Sequence, residues 1–294
     1  MRVRWLLCIL ALGLAGCLPQ PAPSGTRAGP AEAEAGPDRA QLWWVPVQPY
    51  RDAGSRFLLE TMVYRPAGPG PFPLVTINHG VPGDKRRLRA TEPAYQTAAH
   101  WWIAHGYAVA VPLRRGIGRS QGEFAESTDN CDAADFARVA FVAAADIKGV
   151  ARYLETEPFI IPNRTIVVGQ SVGGFAGLAV AADPPPGVVG IVDFAGGIGG
   201  YGDGTICGGA DGLIEAARQL GLRAKLPTLW LYAANDQWFG PVARPMFDAY
   251  RAGSKLPVTF VALPPFSYDG HATLYRADSD VWGSAVAAFL ATLR

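Results

Sequence analysis

A chain of 294 residues with 49% hydrophobic content is long enough to bury a large core in one domain, and no second domain is needed to account for its length. Its 26 Lys and Arg against 25 Asp and Glu leave a formal charge of +1, which excludes a basic surface of the kind nucleic acid demands. Scattered basic runs such as Lys85 to Arg87 read as solvated loop.

The chain opens with Arg2 and Arg4 and continues as a short apolar run. That run falls short of the roughly 20 apolar residues a membrane-spanning helix needs, so it reads as an export signal. Leu14, Ala15, Gly16 and Cys17 resemble the cleavage box of bacterial lipoproteins. The resemblance implies a signal over residues 1–16, a lipid on Cys17, and a protein anchored to a membrane of the cell envelope; an ordinary secretory signal cut further along is the alternative. Leu18 in place of aspartate after the cysteine favours the outer membrane. Residues 17–41 are dominated by proline, alanine, glycine and glutamate, so a disordered linker is expected. As a flexible coil, residues 18–39 span roughly 25 Å.

The folded domain is expected over residues 42–294. Residues 42–47 and 57–64 read as opening antiparallel strands, and 72–78 as the first buried parallel strand. A helix over 94–105, a strand over 107–112, a loop over 113–130 and a helix over 133–154 follow, the last with Ala, Val and Phe at helical spacing. A strand over 165–168 runs through a glycine-hinged corner into a helix over 175–182. Beyond it lie a strand over 188–194, a glycine-rich loop, a helix over 213–220, a strand over 227–233, a helix over 242–252, a strand over 258–263 and a closing helix over 280–293. This alternation predicts an α/β domain with a mostly parallel central sheet, helices on both faces, and functional groups at the carboxyl ends of the strands.

Two serines sit in a G-x-S-x-G pattern, Ser120 and Ser171. Context separates them. Ser120 follows an arginine-rich loop and precedes a polar, irregular stretch. Ser171 has a strand before it and a small-residue helix behind it, with Gly169, Gly173 and Gly174 removing Cβ atoms where backbones must meet, as a nucleophile corner requires.

With the elements placed, residues 42–294 resemble the α/β-hydrolase fold, and within it the dienelactone-hydrolase-like and acyl-peptidase-like serine esterases. Four stretches carry the resemblance: Asn78 to Gly83, Arg115 to Gly122, the Ser171 corner, and Asp236 followed by His271. It implies a serine hydrolase acting on small carboxylic esters through an acyl-enzyme, with no cofactor and no metal. A serine hydroxyl attacks well only when a base takes its proton. Of four histidines, His100 and His105 belong to a helix away from the active edge, and His79 shapes the loop after its strand. His271 follows the last strand and is the expected base. Asp236 orients it, completing the order Ser, Asp, His of this fold; Asp193 is the runner-up, while Asp203, Asp211 and Asp269 read as turn or surface residues. Charge developing on the substrate carbonyl needs two N–H donors, expected from Val172 and Val81, since Pro82 has none.

Two cysteines remain in the domain, Cys131 and Cys207. Neither has a second Cys or a His at ligand spacing, and in an exported chain they most simply form a disulfide. Trp238, Phe239, Tyr201 and Tyr268 flank the expected catalytic edge as candidate substrate-binding aromatics. Arg115, with Arg114, is a candidate for a substrate carboxylate, although structural ion pairing is the stronger reading. Residues 196–212 are a candidate lid tied through the disulfide. A peptidase or amidase using the same triad is the nearest rival, and a non-catalytic envelope lipoprotein the rival from another class.

Overall fold

Among the described residues, β-branched and apolar runs assemble into nine strands of one sheet, in the order β1-β2-β3-β5-β4-β6-β7-β8-β9. The computed structural model describes residues 20–52, 54–128 and 130–293; the expected export signal over residues 1–16 and Cys17 lie outside the described residues. β1 (Gly29–Pro30), β2 (Gln41–Val47) and β3 (Phe57–Tyr64) pair antiparallel, and β3 pairs antiparallel with β5 (Ala108–Pro112). From there β4 (Phe72–Asn78), β6 (Ile160–Gln170), β7 (Val188–Phe194), β8 (Thr228–Ala233) and β9 (Val258–Leu263) run parallel. Antiparallel entry followed by a parallel body matches the α/β expectation.

The inner strands read as unbroken apolar runs because helices cover both faces. On one face α2 (Phe136–Leu154), α3 (Val172–Ala182), α4 (Ala210–Arg223) and α5 (Gly240–Gly253) bury Phe175, Leu178, Leu213, Met246 and Tyr250 against Val167, Ile191 and Trp230. On the other, α1 (Gln96–Ala104) and α7 (Gly283–Thr292) bury Trp102, Trp282, Val286 and Phe289 against Val168, Val192 and Leu231. A short α6 (Thr273–Arg276) and a 3₁₀ turn over Lys85–Ala90 were not foreseen. Both are elements of one or two turns whose ends are set by neighbours rather than by apolar periodicity. Cys131 and Cys207 form a disulfide, with Cα atoms 4.8 Å apart.

The linker expectation needs correction from Gln20 onward. β1 pairs with Trp43 and Trp44, the Ala22 N–H donates to the Arg119 carbonyl at 2.9 Å, and Gln121 Nε2 donates to the Ala22 carbonyl at 3.1 Å. Glu34 is ion-paired with Arg39 and Arg65. Composition measures only how much apolar surface a segment can bury. Here main-chain hydrogen bonds and ion pairs to an existing sheet edge hold the segment instead.

Candidate active site

Ser171 caps β6 at the sharp turn into α3, with φ +56° and ψ −125°, a conformation that costs a side-chain-bearing residue on the order of 1–3 kcal/mol. The turn is tolerated because its neighbours lack side chains. A Cβ on Gly173 would lie 2.2 Å from the Asn78 carbonyl oxygen, and one on Gly80 would lie 2.9 Å from the Ser171 Cβ. The helix start is thus pressed against the loop after β4, and the serine is held at the floor of a cavity.

Asp236 follows β8 in a tight turn. Its Oδ1 accepts hydrogen bonds from the N–H groups of Trp238 at 2.8 Å and Phe239 at 3.0 Å. His271 follows β9, and its Nδ1 lies 3.3 Å from the carboxylate oxygens of Asp236. With both lone pairs of Oδ1 engaged by main chain, Oδ2 is the oxygen left for the imidazole N–H. Trp238 stacks on the His271 ring at 5.2 Å between centroids. Ser171 and His271 make no direct hydrogen bond among the described residues, and both line one cavity of about 900 Å³. In the absence of substrate such a contact is often open.

The loop after β4 is stiffened from beneath. His79 Nε2 accepts from the Arg114 N–H at 3.1 Å, so its proton sits on Nδ1, which donates to the Gly80 carbonyl at 2.6 Å. Burial, followed by the Arg114 charge, pushes the imidazole well below its ordinary pKa and keeps it neutral. Arg114 donates to the His79 carbonyl at 2.8 Å and forms a two-pronged pair with Glu126 at 2.6 and 2.8 Å. The Val81 N–H on this loop and the Val172 N–H at the start of α3 donate to no protein group among the described residues. Val172 is the first residue of its helix, where an amide has no intrahelical acceptor.

Residues 54–226, more than half of the chain, match the model of the X-Pro dipeptidyl-peptidase family, S15. The chain belongs to that family. Among solved structures, this S15 chain is similar to a dienelactone hydrolase from Anabaena variabilis (18% identity, TM-score 0.53, covering 86% of this chain and 96% of that one). It is also similar to an esterase of Pyrococcus furiosus (12%, TM-score 0.60, 92% and 98%) and to dipeptidyl peptidase 4 of Porphyromonas gingivalis (13%, TM-score 0.58, 85% and 35%). At such identities the likeness is one of fold. No curated protein matches the sequence.

Three of the candidate substrate residues stand elsewhere in this S15 chain. Tyr201 is 61% and Tyr268 85% exposed, and neither lines the cavities beside Ser171. Both lie on loops, where sequence position alone cannot reveal which way a ring faces. Arg115 is buried and committed to Asp146, with Nε 2.7 Å from Oδ1 and its N–H 3.0 Å from Oδ2. Burial nonetheless raises that carboxyl to a pKa of about 6. Trp238 and Phe239 do line cavity walls. Ser120 is buried, its hydroxyl donating to the Leu113 carbonyl at 2.6 Å and accepting from the Glu60 N–H at 2.9 Å, so the second motif is a loop tie. Asp193, the alternative acid, bonds Tyr232 rather than His271. Burial, with the Asp236 charge adding to it and hydrogen bonds from Tyr232 and Gly196 opposing it, pushes its carboxyl well above the usual range.

Sequence reasoning missed the residues that join the triad loops. Asp269 Oδ1 accepts from the N–H groups of His271 at 2.9 Å and Gln237 at 3.1 Å, and its Oδ2 accepts from Trp238 Nε1 at 3.1 Å. Gln170, beside the serine, accepts from Tyr95 Oη at 2.6 Å and donates to the His271 carbonyl at 2.6 Å. A turn-type aspartate and a polar residue at a buried strand end were the available signals.

Proposed function

We propose that the protein is a serine hydrolase that cleaves carboxylic esters through Ser171, His271 and Asp236. The observation that carries this reading is convergence. A strained serine borders two adjoining cavities, with an imidazole oriented by a carboxylate lining the larger, Val172 lining the smaller and Val81 bordering both, the groups being drawn from four separate strand ends. In the forward step Ser171 Oγ bonds the ester carbonyl carbon as its proton passes to His271 Nε2. The oxyanion accepts hydrogen bonds from the N–H groups of Val172 and Val81. Collapse breaks the bond to the alcohol oxygen, which takes the proton from Nε2. Water then repeats the sequence on the acyl-enzyme, releasing the acid and restoring the Ser171 hydroxyl. Asp236 fixes the tautomer and stabilises the imidazolium.

Ser171→Ala should abolish ester turnover and labelling by a phosphonylating probe while the melting temperature is retained; labelling at the wild-type level would end the assignment. The description of the S15 family favours a second reading, amide cleavage by the same residues, and aminoacyl-proline amides run beside esters separate the two.

We also propose that the domain is held at the envelope membrane by a lipid on Cys17, as the Leu14 to Cys17 stretch supports. Three residues at about 3.5 Å each put such an anchor within roughly 10 Å of Gln20, so the domain sits close against the bilayer. Loss of radiolabelled palmitate incorporation in Cys17→Ser is the expected result, and undiminished incorporation would refute it.

A further inference from the structure

Ser171 lies between two cavities of very different size. One, of about 900 Å³, is lined by His271, Tyr95, Gln170 and Tyr275 and by a polar rim that includes Arg87, Glu92 and Arg276. The other, of about 130 Å³, is lined by the apolar Val172, Ile198, Phe239 and Phe124 and by the polar Lys85, Glu126 and Thr128. Trp238, together with the turn over residues 81–83, borders both and forms the partition. Its indole is fixed there by the stack on His271 and the bond to Asp269.

Resting on the serine-hydrolase reading, the geometry points to a substrate class: short-chain acyl esters of bulky, polar alcohols. Proton delivery assigns the two sides. When the tetrahedral intermediate collapses, the breaking bond is the one to the alcohol oxygen, and the proton that oxygen receives comes from His271 Nε2. The alcohol must therefore leave on the side where His271 is exposed. His271 lines the large cavity and does not line the small one. The acyl group, which stays on Ser171, is left with the small cavity, where the Val172 N–H faces its carbonyl oxygen.

Size then sets the class. A dry cavity of about 150 Å³ holds a benzene-sized body, so the 130 Å³ of the acyl side suits a chain of roughly two to five carbons. An X-Pro dipeptidyl group carries about eleven non-hydrogen atoms or more, well beyond that volume. The alcohol side falls in the range of roughly 300–1,000 Å³ that takes whole small molecules. Its rim of Arg87, Glu92, Arg276 and neighbouring threonines offers donors and acceptors to a hydroxyl-rich leaving group.

The test is kcat/KM of the full-length protein on p-nitrophenyl acetate, butyrate and octanoate, and on ethyl acetate beside a peracetylated hexose. From butyrate to octanoate the value should fall by roughly 100-fold, the discrimination a filled pocket achieves against a few extra methylenes. The acetylated sugar should be cleaved at least as efficiently as ethyl acetate. Ile198→Ala, which opens the small cavity, should raise the octanoate-to-acetate ratio at least about tenfold, and Ile198→Phe should lower the butyrate-to-acetate ratio. Equal rates on acetate and octanoate, or an Ile198→Ala effect on the alcohol instead of the acyl chain, would overturn the cavity assignment and leave the hydrolase reading standing. If no ester is turned over and a small organophosphate leaves Ser171 unlabelled, both fall.

Discussion

Asp236→Asn is the sharpest probe of the catalytic arrangement, because the main chain dictates how the new amide must sit. Oδ1 accepts from two N–H groups, Trp238 at 2.8 Å and Phe239 at 3.0 Å. An amide nitrogen at that position would place a donor against two donors, so the asparagine oxygen must take it and the NH₂ group must face His271. The NH₂ then donates to Nδ1, which forces the imidazole proton onto Nε2, the atom required to take the proton of Ser171. The wrong tautomer in an otherwise intact serine triad costs about 10⁴-fold in kcat, or about 5 kcal/mol of transition-state stabilisation. Stability should be nearly unaffected, since both N–H groups keep their acceptor. Asp236→Ala differs: it leaves two N–H groups at a buried turn without a partner, at roughly 1–3 kcal/mol each. The assay is kcat on p-nitrophenyl acetate beside a thermal melt for both variants. Asp236→Asn retaining kcat within about tenfold of wild type would refute the tautomer argument, and so would a melt as depressed as that of Asp236→Ala.

Three further outcomes follow from packing, titration and covalent linkage. Gly173→Ala places a methyl group 2.2 Å from the Asn78 carbonyl oxygen and 2.6 Å from that of His79. No rotamer relieves a clash with main chain, so a loss of about 3 kcal/mol or more is expected in calorimetry, and an unchanged melting temperature would contradict it. Burial raises the folded pKa of Asp193 well above its unfolded value. Its contribution to stability is therefore complete below about pH 4 and is lost, by roughly 1 kcal/mol per pH unit, as pH rises toward the folded value. Asp193→Asn removes that dependence, so the variant should gain on the wild type at pH 8 but not at pH 4; equal differences at both would count against a raised Asp193 pKa. The Cys131–Cys207 bridge closes a sequence separation of 76 residues, for which chain entropy predicts roughly 4 kcal/mol. A double alanine variant should show that loss in its urea midpoint, and no shift at all would remove the bridge as a stabilising link.

Period and punctuation carried the domain. The runs at 188–194 and 258–263 coincide with β7 and β9 residue for residue. The Ser171 corner stood out because three glycines flank one serine between a strand and a helix. Ser, Asp and His could be ordered along the chain because each follows a strand of a parallel sheet, and strand ends are set by local apolar periodicity. The direction of a side chain on a loop is not set that way. Arg115 turned inward to Asp146 and Asp269 reached across to Gln237 and Trp238, partners many residues away in the chain, while Tyr201 and Tyr268 stand exposed. Residues 20–41 show the same limit, since a segment with little to bury was docked by hydrogen bonds to a sheet edge that only the folded chain presents. Local pattern thus specified the elements and set the candidate serine, aspartate and histidine at the ends of their strands. The partition of space around Ser171 arose only when separate loops closed on one another, because volume belongs to the assembly and has no signature in any one stretch of chain.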